Sequence, residues 1–208
     1  MCDHGHSGCG HEAGEAPAAA AEGVRYDMVQ AIDMDKVTVL NEETPDSGPN
    51  VLRPWDDRAN RSVWLESDGD EELLINIPFT GNVRLAGMCV IGEPGEKHPA
   101  KIRLFKDREG MAFEDTAVQA DQEIDLKEDP TGDVDYALKP AKFNSVAHLT
   151  IHIAKNFGAE TTKVYYIGLR GEFLGQFRQK VVIATYEARA IPKDHKGAIP
   201  DGKTSDIC

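Results

Sequence analysis

Two apolar runs that follow each other closely give the chain its clearest pattern of hydrophobic and polar positions. The first spans residues 73–79 and the second residues 83–91, with Thr80, Gly81 and Asn82 between them. Strand side chains alternate between two faces. One side of the first run therefore carries Leu73, Ile75, Ile77 and Phe79, and one side of the second carries Val83, Leu85, Cys89 and Ile91. Because glycine supplies the positive φ of a tight turn, the pattern predicts a β-hairpin that turns at residues 80–82.

Shorter β-type segments occupy most of the remaining chain. They span residues 37–40, 51–55, 62–65, 100–106, 134–138, 146–153, 163–173 and 181–188. The long polar stretch 107–133 interrupts them, and we expect one helical turn there, near residues 113–118. Many short strands and few helical periods predict an all-β fold. We expect an antiparallel β-sandwich with jelly-roll topology.

Alternation also assigns faces within the later strands. The side chains predicted to point inward are Ile102, Leu104, Leu149, Ile151 and Ile153. His148 and His152 take the opposite side of their strand, where we expect them at the surface. Gly168 and Gly171 lie inside one strand, which predicts a bulge or the close approach of another backbone.

Both ends of the chain lack this apolar pattern. Residues 1–23 are rich in histidine, glycine and alanine, and we predict a disordered tail. Residues 191–208 are polar and contain Pro192 and Pro200, which predicts a flexible C-terminal tail. The β-sandwich domain is therefore assigned to residues 24–190.

The formal net charge of −13 narrows the set of partners. Only four of the 36 acidic residues lie in the first 23 positions, so the folded body is itself acidic. An acidic body repels nucleic acid and anionic membrane surfaces, and no stretch approaches the roughly 20 apolar residues of a membrane span. We therefore expect a protein that binds neither nucleic acid nor membrane, and we predict that it is a monomer.

The start of the chain and its cysteines bear on location. No charged segment followed by an apolar core marks a secretory signal, so we expect a cytoplasmic or nuclear protein. Cys2, Cys9, Cys89 and Cys208 form no C-x-x-C pair. Cys89 lies in a predicted strand and is expected to be a small buried hydrophobic residue.

Metal binding has weak candidates in the N-terminal tail. The possible ligands there are Cys2, His4, His6, Cys9 and His11. If Met1 is removed, the amino terminus and His4 could also wrap Cu²⁺ or Ni²⁺ in a square plane. His148 and His152 would stand about 13 Å apart on a strand, too far to share one ion. A solvated tail is the competing interpretation, and we predict no metal site and no cofactor.

A cluster of carboxylates precedes the first apolar run. It consists of Glu66, Asp68, Asp70, Glu71 and Glu72. Clustered surface carboxylates speed association with a basic partner, so these residues are candidates for partner binding. Asp and Gly also suit a turn before a strand, which is the alternative. Either Trp55 or Trp64 is a further candidate contact, although the small number of aromatic residues favours core packing over recognition for both.

Catalytic motifs are missing from the sequence. It has no G-x-S-x-G, H-E-x-x-H, P-loop or dinucleotide-binding glycine pattern, so we predict a protein that is not an enzyme. A non-catalytic protein-interaction module is the leading interpretation. The alternative is a jelly-roll domain that binds a small ligand, or Ca²⁺ at Asp68, Asp70 and Glu72.

Four segments resemble the PITH domain, a proteasome-interacting module found beside a thioredoxin-like domain or alone. They are LNEE (40–43), LESDGDEELLINIPFTGNV (65–83), IRLFKD (102–107) and NFGAETTKVYYIGLRGEF (156–173). The resemblance covers roughly residues 25–190. It implies a galactose-binding-like jelly roll and an adaptor that binds the proteasome or a proteasome-associated protein. The chain has no C-x-x-C pair, so redox chemistry is not implied.

Overall fold

A computed structural model describes residues 18–19 and 26–176. Its strands are β1 (Ala18–Ala19), β2 (Thr38–Leu40), β3 (Leu65–Glu66), β4 (Leu73–Gly92), β5 (Pro99–Lys106), β6 (Gln122–Asp125), β7 (Val134–Ala137), β8 (Val146–Asn156) and β9 (Lys163–Gln176). Short 3₁₀ helices span Met28–Ala31, Met34–Lys36, Gly48–Val51, Trp55–Asp57 and Phe113–Ala117. None of the helices in the described residues is long and apolar enough to cross a membrane.

The strands form an antiparallel β-sandwich in which β4 belongs to both layers. The first half of β4 pairs with β2 and β8, and β5 and β6 extend that layer. The second half pairs with β7 and β9, and β1 and β3 complete the other layer. The predicted all-β jelly-roll sandwich is confirmed.

The predicted hairpin is wrong, because both apolar runs belong to the single strand β4. Leu73 pairs with Ile153 near the end of β8, and Gly92 pairs with Val164 near the start of β9. The two halves of β4 therefore return to the same end of the molecule in different layers. Gly81 does not adopt a positive φ. Its missing Cβ instead admits the close approach of the β9 backbone.

A bulge in β4 changes which side chains face the main core. Leu85 pairs with Gly171 and Gly87 with Arg170, so Ala86 is an extra residue on β4. Val83 and Leu85 face the main core, but beyond the bulge Met88 and Val90 do so. The prediction that Cys89 and Ile91 share the side of Val83 and Leu85 is wrong, since they pack in a separate outer cluster. Gly171 confirms the predicted close approach, because a Cβ there would collide with the carbonyl of Arg84.

The main core lies between the layers, and a smaller cluster covers the outer face of each. Ile102, Leu104, Leu149, Ile151 and Ile153 are buried in the main core, as predicted. The outer cluster on the second layer contains Tyr26, Cys89, Ile91, Tyr165 and Tyr166. The outer cluster on the first layer contains Leu74, Phe105, Met111 and Ala120. Cys89 is a free, buried thiol, which confirms its predicted role as a small hydrophobic residue.

The segment 107–121 covers the outer face of the first layer. Met111 accepts a hydrogen bond from Asn76 Nδ2 at 3.2 Å, and Phe113 packs against the outer cluster. His148 and His152 lie on this face and are only 8% and 3% exposed. Their predicted surface position is therefore wrong, because a distant part of the chain buries them. The helical turn near residues 113–118 is confirmed, β6 was not predicted, and the predicted strand 181–188 lies outside the described residues.

Candidate partner-binding site

Four loops meet at one end of the sandwich, beside the connection between β8 and β9. They span residues 41–47, 66–72, 93–98 and 156–162. Ser67 N donates a hydrogen bond to Thr162 O at 3.0 Å, and Lys163 N donates to Lys97 O at 3.0 Å. We call this surface the acidic end, after its exposed carboxylates Glu43, Asp46, Asp68, Asp70, Glu96 and Glu160.

Asn41 organises the loop that carries the predicted carboxylates. Its φ of 67° lies in the left-handed region, which asparagine tolerates better than most residues. Asn41 Nδ2 donates to Asp70 Oδ1 at 2.8 Å and to Glu72 O at 2.7 Å. Glu72 N also donates to Asp70 Oδ1, at 2.9 Å. The loop is thus held in one shape while Asp68 and Asp70 remain exposed.

Glu66 is neutralised within the protein. Its Oε1 lies 2.6 Å from Lys97 Nζ and accepts a hydrogen bond from Thr161 Oγ1 at 3.1 Å. Its Oε2 lies 3.9 Å from Lys163 Nζ, and the side chain is only 14% exposed. Burial raises the pKa of Glu66, but the bond to Lys97 and the other contacts outweigh it and leave the pKa below its ordinary value. Glu66 therefore links the neighbouring loops and does not offer a free charge to a partner.

Glu72 connects the acidic end to the buried histidines. Its Oε2 lies 2.8 Å from His152 Nε2, and the Glu72 side chain is half-exposed. Glu71 is also partly exposed, and its carbonyl accepts a hydrogen bond from Thr162 Oγ1 at 2.7 Å. Of the predicted cluster, Asp68 and Asp70 are exposed, whereas Glu66, Glu71 and Glu72 are only partly exposed.

Four acidic-end carboxylates were not predicted from the sequence: Glu43, Asp46, Glu96 and Glu160. They come from loops that are far apart in the chain, and only the strand pairing brings them together. Each has turn-forming residues close by, at Pro45, Gly95 and Gly158. That turn signal would have placed them in loops, but it could not have placed the loops at one end.

The two tryptophans have different environments. Trp55 is half-buried, with its ring centroid 4.8 Å from that of Tyr26 and 4.1 Å from the guanidinium carbon of Arg58. It packs against the outer cluster of the second layer, so the geometry favours the packing interpretation. Trp64 is 41% exposed, and Lys163 Nζ lies 4.2 Å from its ring centroid. Trp64 is therefore the exposed aromatic of the pair.

Metal coordination receives no support from the geometry of the described part of the chain. Within residues 18–19 and 26–176, no group of three or more His, Cys, Asp or Glu side chains is placed to hold a metal ion. Of the suggested Ca²⁺ ligands, Asp70 is bonded to Asn41, and Glu72 is bonded to His152. The tail candidates at residues 2–11 lie outside the described residues.

These features define a class of protein: a galactose-binding-like β-sandwich with a rigid, charged set of loops at one end. A solved structure with this fold contains the CBM32-1 and CBM32-2 domains of Clostridium perfringens ZmpB in complex with GalNAc. The TM-score is 0.50 and the identity is 8%, over 76% of this chain and 44% of that one. At this identity, the likeness shows the fold alone.

The chain belongs to the PITH domain family. The family matches residues 18–190. A PITH domain-containing protein of Caenorhabditis elegans is 56% identical over 97% of both chains. PITH domain-containing protein 1 of Homo sapiens is 47% identical over 93% of this chain and 92% of its own length. The resemblance stated from the sequence is confirmed.

Proposed function

We propose that this protein is a non-catalytic interaction module that binds a basic surface of the proteasome or of a proteasome-associated protein. Membership of the PITH family supports a protein-interaction role. We further propose that it acts as a monomer in the cytoplasm or nucleus, without a cofactor. Its body, acidic overall, favours basic protein partners over nucleic acid or anionic lipid.

The acidic end is the observation that carries this proposal. Exposed carboxylates from four loops share one surface, and hydrogen bonds between the loops fix their positions. A prearranged set of like charges raises the rate of encounter with a basic surface and fixes its orientation. Because the loops are already ordered, little conformational entropy is lost on binding.

Charge reversal at the acidic end tests the proposal. The double variant Asp68→Lys/Glu71→Lys changes two accessible carboxylates and leaves the Asn41 contacts intact. Its affinity for purified proteasomes, measured with the full chain at low salt, should fall at least about tenfold. Thermal unfolding should change little, since both side chains are solvent-accessible.

Glu172→Lys is the matched control. Glu172 is exposed on β9 and pairs with Arg84 at 3.0 Å. It lies about 30 Å from Lys163 along the strand, at ~3.3 Å per residue. This variant should bind proteasomes like the unaltered chain. If the acidic-end variant binds proteasomes as tightly as the unaltered chain does, the acidic end is not the docking surface.

A cleft at the opposite end keeps the small-ligand function as a second candidate. Its volume is about 440 Å³, and it is lined by Asp27, Met28, Gln30, Ala31, Thr80, Gly171, Phe173 and Gln176. Clefts of this size accommodate small molecules. A rise in melting temperature with a monosaccharide such as GalNAc, lost in Phe173→Ala, would favour this function. No shift with either protein would count against it.

A further inference from the structure

Trp64 is exposed but held in place. The residue is 41% exposed, and the centroid of its indole ring lies 4.2 Å from the ammonium nitrogen of Lys163. Lys163 Nζ lies 3.9 Å from the carboxylates of Glu66 and Glu93. Tyr165 OH donates a hydrogen bond to Glu93, and burial together with this bond raises the pKa of Tyr165 to about 12. The cation below the ring is therefore fixed by two carboxylates, which limits the freedom of the indole.

Phe157 is a second exposed aromatic on a fixed loop. It is 47% exposed, and its backbone N donates to Glu96 O at 3.1 Å. Asn156 Nδ2 donates to Ala159 O at 2.9 Å and to Thr161 O at 3.0 Å, which closes the loop around Phe157. The hydrogen-bonded backbone of this loop thus keeps the Phe157 side chain exposed to solvent.

Both aromatics lie at the acidic end. Lys163, which contacts Trp64, donates its backbone N–H to Lys97 O, and the neighbouring Glu96 accepts from Phe157 N. Phe157 lies on one of the four loops that carry the exposed carboxylates, and Trp64 directly precedes β3, which leads into another of them. Protein interfaces commonly combine aromatic anchors at the centre with a polar rim, and Trp is enriched among the residues that contribute most affinity.

We infer that Trp64 and Phe157 are the two anchors of the docking surface, and that the acidic-end carboxylates form its rim. The partner that fits is a protein surface with two apolar pockets bordered by lysine or arginine side chains. This inference deepens the proposed function and depends on it. It assigns the affinity to the aromatics and the rate of encounter to the carboxylates.

Binding kinetics can separate the contribution of the aromatic anchors from that of the rim carboxylates. Rim charges act mainly on the association rate, whereas desolvated anchors act mainly on the dissociation rate. Trp64→Ala and Phe157→Ser should each accelerate dissociation from immobilised purified proteasomes by about fivefold or more, with little change in association rate. Trp64→Phe should restore part of the loss, because it returns an aromatic ring to the site. Asp68→Lys/Glu71→Lys should instead slow association.

Leu174→Ser is the control. Leu174 is 45% exposed, similar to Phe157, but it lies at the other end of the sandwich, between Phe173 and Gly175, which pair with Val83 and Asn82 of β4. This variant should dissociate at the rate of the unaltered chain. Thermal unfolding of all variants checks that each remains folded.

The outcomes distinguish the inference about the aromatic anchors from the proposed function on which it depends. Faster dissociation in Trp64→Ala and Phe157→Ser, but not in Leu174→Ser, would support the inference. If the charge reversals weaken binding while both acidic-end aromatic variants dissociate normally, the inference is wrong and the proposed function stands. If the unaltered chain does not bind proteasomes, the proposed function and the inference both fail.

Discussion

The Asp129 carboxylate shows how a single buried charge can hold a turn. It is 3% exposed and accepts hydrogen bonds from the backbone N–H groups of Thr131, Gly132, Asp133 and Val134, at 2.7 to 3.1 Å. Burial raises its pKa, but these bonds outweigh burial and leave the pKa below the ordinary value. The charged form is therefore the one that the fold stabilises.

Replacing this carboxylate by an amide should destabilise the protein. In Asp129→Asn the amide nitrogen would face a backbone donor, so the free energy of unfolding should fall by about 2–3 kcal/mol. Urea denaturation measures the loss. The control Asp125→Asn changes an exposed side chain on β6 and should cost less than about 0.5 kcal/mol. Equal losses in both variants would contradict the role assigned to Asp129.

His148 gives the protein a sensitivity to mild acid. Burial lowers its pKa, and Glu109 and Asp107 oppose this only in part. The unfolded chain, with a histidine pKa of about 6.5, therefore takes up the proton at higher pH than the folded chain does. The contribution of His148 is complete above about pH 6.5 and is lost as the pH falls toward the lowered pKa. Asp129 and Glu66 add a separate loss below about pH 4.

His148→Gln should remove the first of these two losses. The free energy of unfolding of the unaltered chain should fall between about pH 6.5 and 5, while that of the variant should fall less over the same range. Urea denaturation at several pH values provides the measurement. Parallel curves for the two proteins through this range would show that His148 does not cause the acid sensitivity.

At the scale of elements, β4 connects the two layers and sets the geometry of the acidic end. Its halves pair with β8 and β9, so the connection between those strands lies beside both ends of β4. The bulge at Ala86 keeps Val83 and Leu85 in the core and then transfers that role to Met88 and Val90. The pairing of β4 with β9 is thus central to the fold.

Gly171→Ala tests that pairing. An added Cβ would collide with the backbone carbonyl of Arg84, and a backbone atom cannot move aside as a flexible side chain can. We expect a loss of about 2–3 kcal/mol in the free energy of unfolding. Gly69→Ala is the control, because its Cβ would meet only Asn41 Oδ1, at 3.7 Å. A loss no greater than that of the control would contradict the close approach at Gly171.

Local periodicity predicted the sandwich and many of its inward residues, such as Leu149 and Ile151, because alternation depends only on the strand itself. It could not distinguish a hairpin from one strand that crosses between layers, since both give two apolar runs with a corner between them. The face change at Cys89 depends on a bulge formed with β9, and the burial of His148 depends on segment 107–121. These features are set by distant parts of the chain.

The candidate site was likewise predictable where it depends on local sequence and unpredictable where it depends on tertiary contacts. The carboxylates at residues 66–72 were visible as a cluster in the sequence, and Asp68 and Asp70 are exposed as a docking role requires. The sequence could not show that Lys97 and Lys163 neutralise Glu66. Nor could it show that Trp55 is packed while Trp64 is exposed, because both environments depend on tertiary contacts.

At the scale of the whole molecule, the two ends of the sandwich differ in chemistry. The acidic end carries fixed carboxylates with Trp64 and Phe157 among them, whereas the opposite end carries the cleft beside Phe173. The net charge of −13 adds a long-range attraction toward a basic partner. Exposed charges are screened over about 8–10 Å at physiological salt, so this attraction must weaken as salt is added.

Docking of the acidic end on a basic proteasomal surface can be tested by the association rate of the full chain with purified proteasomes, measured across a series of salt concentrations. We expect rapid association at low salt and a steep decline as salt rises, with a dissociation rate that changes far less. Asp68→Lys/Glu71→Lys should flatten this dependence, and Glu172→Lys should not. An association rate that does not vary with salt, or no binding at low salt, would contradict the claim that the acidic end docks on a basic proteasomal surface.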